Sequence, residues 1–478
     1  MKIKLKKFGD FASDILPHEA QYLMDIQRFD DKVKLGILDT ILHNCNHSNM
    51  QRSFDPDIDK RKYSNLKNWI VNQLEKNNVD KHFEWINEMD RKVMTDSIDP
   101  EDERELLKAI QESKPADYYF VKFFELILNL RQYLLIRLRY NEHKIANDFI
   151  LDNQHFYEKS IRTSNKMHEV SVDIINQYSL NNTESKQWEQ WLLDVFYDDS
   201  LDGRNRYFAV VRLTFMYFNY REYDKLKDLY EDLDKMLKKG MFYARRILFN
   251  YYANSVLIHS KYDVLQRAEE FGYLSIKQKN ADHLKYLNNY SAILLRQGKI
   301  DQALSLMKQA LPEMRNTDNF HNKIGFAAFY IKCLNLNGQP DDAARFGESF
   351  LRTFRQEVIM QRWHVFFVAY LQSLIMQEKY EELLKIVKRN KLLDKDRTFQ
   401  SSAIYLPTII WYESLAGYME NRISQDKLIS NMVTSAQEHM GNPHKSALIE
   451  QLMDELYDNI PFEIKQVRSI LNSYTVNA

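Results

Sequence analysis

The sequence predicts an all-α fold, an α–α superhelix of stacked helical hairpins with an N-terminal helical domain, and three observations lead there. First, the 478 residues include only 11 Gly and 9 Pro, where average usage of about 7% and 5% would supply roughly three times and more than twice as many. Those two residues terminate elements and open turns, so their scarcity means long elements with short connections. Second, apolar residues recur at helical spacing, and no strand-like alternation persists. Third, five turn segments repeat at a fixed interval. They are Glu222-Tyr223-Asp224, Lys261-Tyr262-Asp263, Lys299-Ile300-Asp301, Gln339-Pro340-Asp341 and Lys379-Tyr380-Glu381, with middle residues 39, 38, 40 and 40 positions apart. A step this regular marks a stacked repeat.

The segment Leu284 to Asn316 shows why the unit is a helical hairpin. Leu287, Tyr290 and Leu294, then Leu304, Met307 and Leu311, mark the buried faces of two helices. Gly298 falls where the first helix must end, and Gly enters the left-handed conformation of a helix terminus without a Cβ clash. Small residues, Ser291, Ala303 and Ala310, stand where the helices approach, because a bulky side chain there would push the axes beyond about 8–10 Å. In its small, Gly and apolar positions this segment resembles a tetratricopeptide repeat. The flanking units are similar: Gly338 and Ala343 keep the pattern, Thr214 and Ala253 supply its small residue, and Ile331, Leu371 and Leu383 depart from it. The common repeat has about 34 residues, so these helices are each expected to be half a turn to a turn longer.

Residues 1–116 are expected to form the N-terminal helical domain, 117–206 long helices joining it to the solenoid, 207–400 about five repeats, and 401–478 capping helices. Asp99-Pro100-Glu101-Asp102 is a helix start, with Asp as N-cap, Pro at the first helical position and acids facing the dipole. Tyr118 to Tyr140 is apolar nearly all round and is read as a buried helix. His155 to Tyr178 is a further long helix, ended by Ser179 to Thr183. Downstream, Ser401 to Tyr418, Gln425 to Met440 and His444 to Tyr457 are expected helices, the last of them closing the open end of the array.

Charge and composition exclude several roles. Lys plus Arg (66) nearly equals Asp plus Glu (67), whereas proteins that live on phosphate backbones carry a basic excess. The basic runs Lys60-Arg61-Lys62 and Lys385 to Arg397 read as solvated helix faces. Two cysteines, Cys45 and Cys333, form no disulfide framework and fit a reducing compartment. Lys2, Lys4, Lys6 and Lys7 are not followed by the apolar stretch of a signal peptide, and no apolar run approaches the ~18 residues of a membrane span. A cytoplasmic protein without a membrane partner is expected.

Function is read from the inner wall of the array. Tetratricopeptide-like arrays bind extended peptides through first-helix residues on the concave side. Carried over position by position, the resemblance implies a binding set of Phe215, Asn250, Asn254, Asn288, Asn289, Arg296, Lys332, Asn335 and Gln372. Asn offers one donor edge and one acceptor and so pairs with a peptide bond, while Arg296 and Lys332 suit acidic groups. The row resembles the asparagine-lined groove of bacterial tetratricopeptide regulators that sense peptides. It resembles the carboxylate clamp of chaperone-binding modules only in part, because Asn250 stands where that clamp has Lys. Phe215 and Tyr217 are the expected apolar anchors. The expected function is a protein- or peptide-binding scaffold or adaptor. The alternative is a peptide-sensing regulator whose N-terminal domain acts on a second target.

No metal or cofactor is expected. His43 and His47 share a helix face but Cys45 points away from it, and no second Cys/His pair waits elsewhere. Asp198 to Gly203 has the look of a calcium loop, but the twelfth position, which needs Glu, is Ala209. Trp188 and Trp191 are read as packing between helices. No P-loop, dinucleotide fingerprint, His-Glu-x-x-His or nucleophile elbow is present, so no enzyme is expected.

Overall fold

A computed structural model describes residues 5–47, 50–180, 184–400, 405–437, 439–441 and 443–475. Among them every regular element is a helix and no strand occurs. No helix is long and apolar enough to cross a membrane. The chain divides into two compact units, residues 1–262 and 263–478.

Unit 1 begins with α1 (Lys6–Asp14), α2 (Pro17–Ile26), α3 (Lys32–Asn46) and α4 (Lys60–Asn77). These four pack together around Leu23, Leu38, Leu66 and Ile70, each at most 1% exposed. Next come α5 (Val79–Met94), α6 (Pro100–Glu112), α7 (Phe120–Ile136) and the 41-residue α8 (Tyr140–Leu180). Asp99 caps α6 as expected, accepting from the Glu101 and Asp102 amides at 2.8 and 2.9 Å. The nearly all-apolar α7 is buried between α5 and α8. Trp188 and Trp191, at the start of α9 (Glu189–Tyr197), both lie under the Lys166 ammonium of α8, 5.3 and 4.6 Å from their ring centres. Of the stretch expected to end the long helix, residues 181–183 lie outside the described residues. α10 (Gly203–Tyr220), α11 (Tyr223–Lys238) and α12 (Arg245–Lys261) complete the unit.

A polar network ties the N-terminal helices to the later ones within this unit. Glu19, 1% exposed, accepts from the Tyr243 hydroxyl at 2.6 Å and from Arg245 Nε at 2.8 Å. His18 meets the Tyr252 hydroxyl through Nδ1 at 2.8 Å and Asp234 through Nε2 at 2.9 Å. Buried charges persist only when paired and hydrogen-bonded, and here three helices, α2, α11 and α12, and Tyr243 just before α12 supply the partners.

Unit 2 contains α13 (Leu265–Ser275), α14 (His283–Arg296), α15 (Ile300–Gln309), α16 (Leu311–Asn316), α17 (Phe320–Leu336), α18 (Pro340–Gln361), α19 (Trp363–Ile375), α20 (Tyr380–Arg389), α21 (Leu392–Phe399), α22 (Thr408–Met419), α23 (Gln425–Gln437), α24 (Pro443–Leu456) and α25 (Pro461–Thr475). The first helices α14, α17, α19 and α22 each pack on the next, and the second helices α15, α18 and α20 pack on both their own first helix and the following one. One apolar core runs through all of these hairpins. The helix expected from Ser401 begins at Thr408, and residues 401–404 lie outside the described residues.

Four of the five turns behave alike. Second helices start at Tyr223, Ile300, Pro340 and Tyr380, the middle residues of the sequence repeat. Two positions earlier the backbone is left-handed, at Arg221, Gly298, Gly338 and Glu378. The Lys261-Tyr262-Asp263 turn differs: its left-handed residue is Asp263, and α13 starts at Leu265. Gly272 supports that later start. It stands seven residues into α13, as Gly347 stands seven into α18. A Cβ at either would meet a Tyr ring of the next first helix, Tyr290 at 2.4 Å and Tyr370 at 2.5 Å.

The extra length of the repeat is taken up unevenly: α10, α11, α12 and α17 run to 18, 16, 17 and 17 residues, whereas other helices stay short. α15 and α20 have 10 residues each, and α14 has 14. The surplus forms short helical pieces after the second helices, α16 and α21, and in α18 the stretch beyond a non-helical Phe354 (φ −121°, ψ 34°). In the first of these, Pro312, which has no N–H to continue α15, sits in the opening turn of the new piece.

Candidate functional site

In unit 1, Asn250 and Asn254 lie one turn apart on α12 and are brought together: Asn254 Nδ2 donates to Asn250 Oδ1 at 3.2 Å. The Tyr207 hydroxyl donates to the same oxygen at 3.2 Å. Phe215 on α10 is 49% exposed, whereas Tyr217 is buried with its hydroxyl on Glu189 at 3.1 Å. Phe215 is thus the aromatic of this pair that solvent reaches.

In unit 2 the predicted residues fall into two groups. Asn288 and Asn289 occupy α14, the former buried and the latter half-buried. The Arg362 guanidinium lies over Gly325 beside the Asn288 amide. It donates to the His321 carbonyl at 3.4 Å, and its charge with that of Lys285 adds to burial in holding the His321 imidazole below its ordinary range. Asn288 Oδ1 is buried and has no hydrogen-bond partner among the described residues. Arg296, at the end of the same helix, is held by Asp263 at 2.6 Å.

The second group is Lys332, Asn335 and Gln372. Asn335 is 1% exposed and donates through Nδ2 to the Ala369 carbonyl at 3.1 Å and to Gln372 Oε1 at 3.4 Å, so it clips α17 to α19. Its own Oδ1 is buried without a partner among the described residues. Lys332 is exposed and makes no close ion pair among them.

Sequence reasoning missed two members of this group, Tyr412 on α22 and Glu455 on α24. The Tyr412 hydroxyl donates to Glu455 Oε1. Desolvation by the surrounding protein pushes the Glu455 carboxyl above its ordinary range, while Tyr412, the Lys332 charge and the Gln372 amide pull it down. The side chain itself is open to solvent, so the carboxyl sits at the edge of a protein wall. A signal for Tyr412 existed: Lys332, Gln372 and Tyr412 are 40 and 40 positions apart, one per first helix. Nothing marked Glu455 among the many acids of its helix.

Elsewhere, His43 and His47 stack at 4.4 Å while the Cys45 thiol is directed to the Ile15 carbonyl at 3.3 Å. A cleft in unit 2 is lined by Asp301, Leu304, Ser305 and Lys308 of α15 and not by the polar row. Comparison with protein-family models, with curated proteins and with solved structures finds no match.

Proposed function

We propose that this chain is a protein- or peptide-binding scaffold in which tetratricopeptide-like hairpins, stacked as an α–α superhelix, present their first helices to an extended ligand. The observation that carries the reading is the pair of enclosed amides on α14 and α17. Asn288 and Asn335 each hold an unpartnered Oδ1, and a buried acceptor without a donor costs about 1–3 kcal/mol. A peptide N–H that reaches either oxygen recovers that loss. The exposed Lys332 and half-buried Asn289 and Gln372 supply further polar contacts from α14, α17 and α19. In unit 1, Asn250, Asn254 and the exposed Phe215 offer a polar pair and an aromatic anchor of the kind that dominates such interfaces. Both cysteines are free thiols, which suits a cytoplasmic protein.

The test is selection of binders from a random dodecapeptide library displayed on phage, then titration of a labelled selected peptide. Asn288→Ala with Asn335→Ala is expected to weaken binding at least tenfold, measured below a thermal transition that falls because the Asn335 bond to the Ala369 carbonyl is lost but stays cooperative. Failure to enrich any peptide, or equal affinity of the double variant, contradicts the reading. The alternative, a peptide-sensing regulator, draws support from the Glu19 and His18 network that binds α2 to α11 and α12. It requires a second target for the N-terminal helices.

A further inference from the structure

We infer that Lys332, Gln372 and Tyr412 form a carboxylate-binding site, filled in this structure by the chain's own Glu455, which a carboxylate of a bound peptide displaces. This rests on the scaffold reading above and names the chemistry of its ligand.

The three residues occupy the same repeat position on α17, α19 and α22, successive first helices that pack side by side. A single carboxylate acted on by all three stands on the face those helices share. That face is where an extended ligand would run. The site is chemically matched to a carboxylate: the Tyr412 hydroxyl donates to it, and the Gln372 amide and the Lys332 ammonium favour its charge. Tyr412 is 1% exposed, so its hydroxyl has few other acceptors to choose from. Leaving it unpaired is unfavourable, and some carboxylate or other acceptor belongs there.

Glu455 is a replaceable occupant. Its side chain is open to solvent, so it leaves by rotating outward without moving a helix. α24 does not depend on it for docking. Ile449, Met453 and Leu456 are fully buried, and Arg468 of α25 holds Glu450 at 3.0 Å and Asp454 at 2.6 Å. A peptide that brings its own carboxylate together with contacts to Asn288 and Asn335 competes with it on favourable terms.

The test uses the full chain and three labelled hexapeptides: hexaglutamate with blocked ends, hexaglutamine with a free C-terminal carboxylate, and hexaglutamine with both ends blocked. Glu455→Ala vacates the site and is expected to bind at least one carboxylate-bearing probe tenfold or more tighter than the wild type. The arm that gains tells whether a side-chain or a terminal carboxylate fits. The fully blocked hexaglutamine should gain nothing, and adding Lys332→Met should abolish the gain. Glu455→Gln, which keeps the side chain's shape, should give a smaller gain and serves if the Ala variant fails to fold. Unchanged affinity in both Glu455 variants, a gain shared by the blocked hexaglutamine, or a gain that survives Lys332→Met overturns the inference. If the library-selected peptide still depends on Asn288 and Asn335 in that event, the scaffold reading stands and only the carboxylate site falls.

Discussion

Asp396 illustrates how one side chain sets a pH response. It lies on α21, 2% exposed, with Oδ2 accepting from the Tyr405 hydroxyl at 2.7 Å and Oδ1 without a partner among the described residues. Burial pushes its carboxyl up to about 6, against 3.8 ordinarily. Below about pH 4 the folded and unfolded chains both hold the proton. Between about 4 and 6 only the folded chain does, so stability falls as pH rises through that window. Asp396→Asn keeps an acceptor for Tyr405 and removes the charge. It is expected to stabilise the chain by about 3 kcal/mol at pH 8 and by nothing at pH 4. Urea unfolding at the two pH values checks this, and an equal effect at both would contradict it. The same balance of desolvation against donors acts at Glu455.

Among the elements, the second helices depend on close approach at one position. Gly347 faces the Tyr370 ring, and both are enclosed by the core of unit 2. Gly347→Ala places a methyl 2.5 Å from Tyr370 Cδ2, and the ring has nowhere to go. Overpacking of this kind costs about 1–3 kcal/mol, which opposes the gain in helix propensity of about 1 kcal/mol. The thermal transition is expected to fall; a rise would mean that α18 and α19 can separate freely. Much of this scale was legible in the sequence. The start of four second helices, the cap at Asp99 and the left-handed Gly298 and Gly338 followed from local chemistry that needs no distant partner. Arg221 and Glu378 adopt the same backbone conformation without a Gly to announce it. The Lys261-Tyr262-Asp263 turn imitated its neighbours in composition, whereas the Gly272–Tyr290 contact that fixes the register of α13 is visible only in three dimensions. The short pieces α16 and α21 were equally hidden, because their amphipathic pattern continues that of the helix before them.

At the scale of the whole molecule, two compact units each hold part of the predicted binding row. Lys332, Asn335 and Gln372 came from carrying over the inner positions of the tetratricopeptide pattern, with which the 40-residue step from Lys332 to Gln372 agrees. Tyr412 was available by the same rule, one step further on. Glu455 was not, since its role comes from how the terminal helices fold back onto earlier ones. The central claim is that the first helices of unit 2 are the ligand-binding surface. Hydrogen exchange on the full chain, with and without a saturating library-selected peptide, tests it most directly. Slowed exchange in α14, α17 and α19, with α15, α18 and α20 unchanged, is the predicted result. Protection confined to those second helices, or absent from unit 2 altogether, would contradict it.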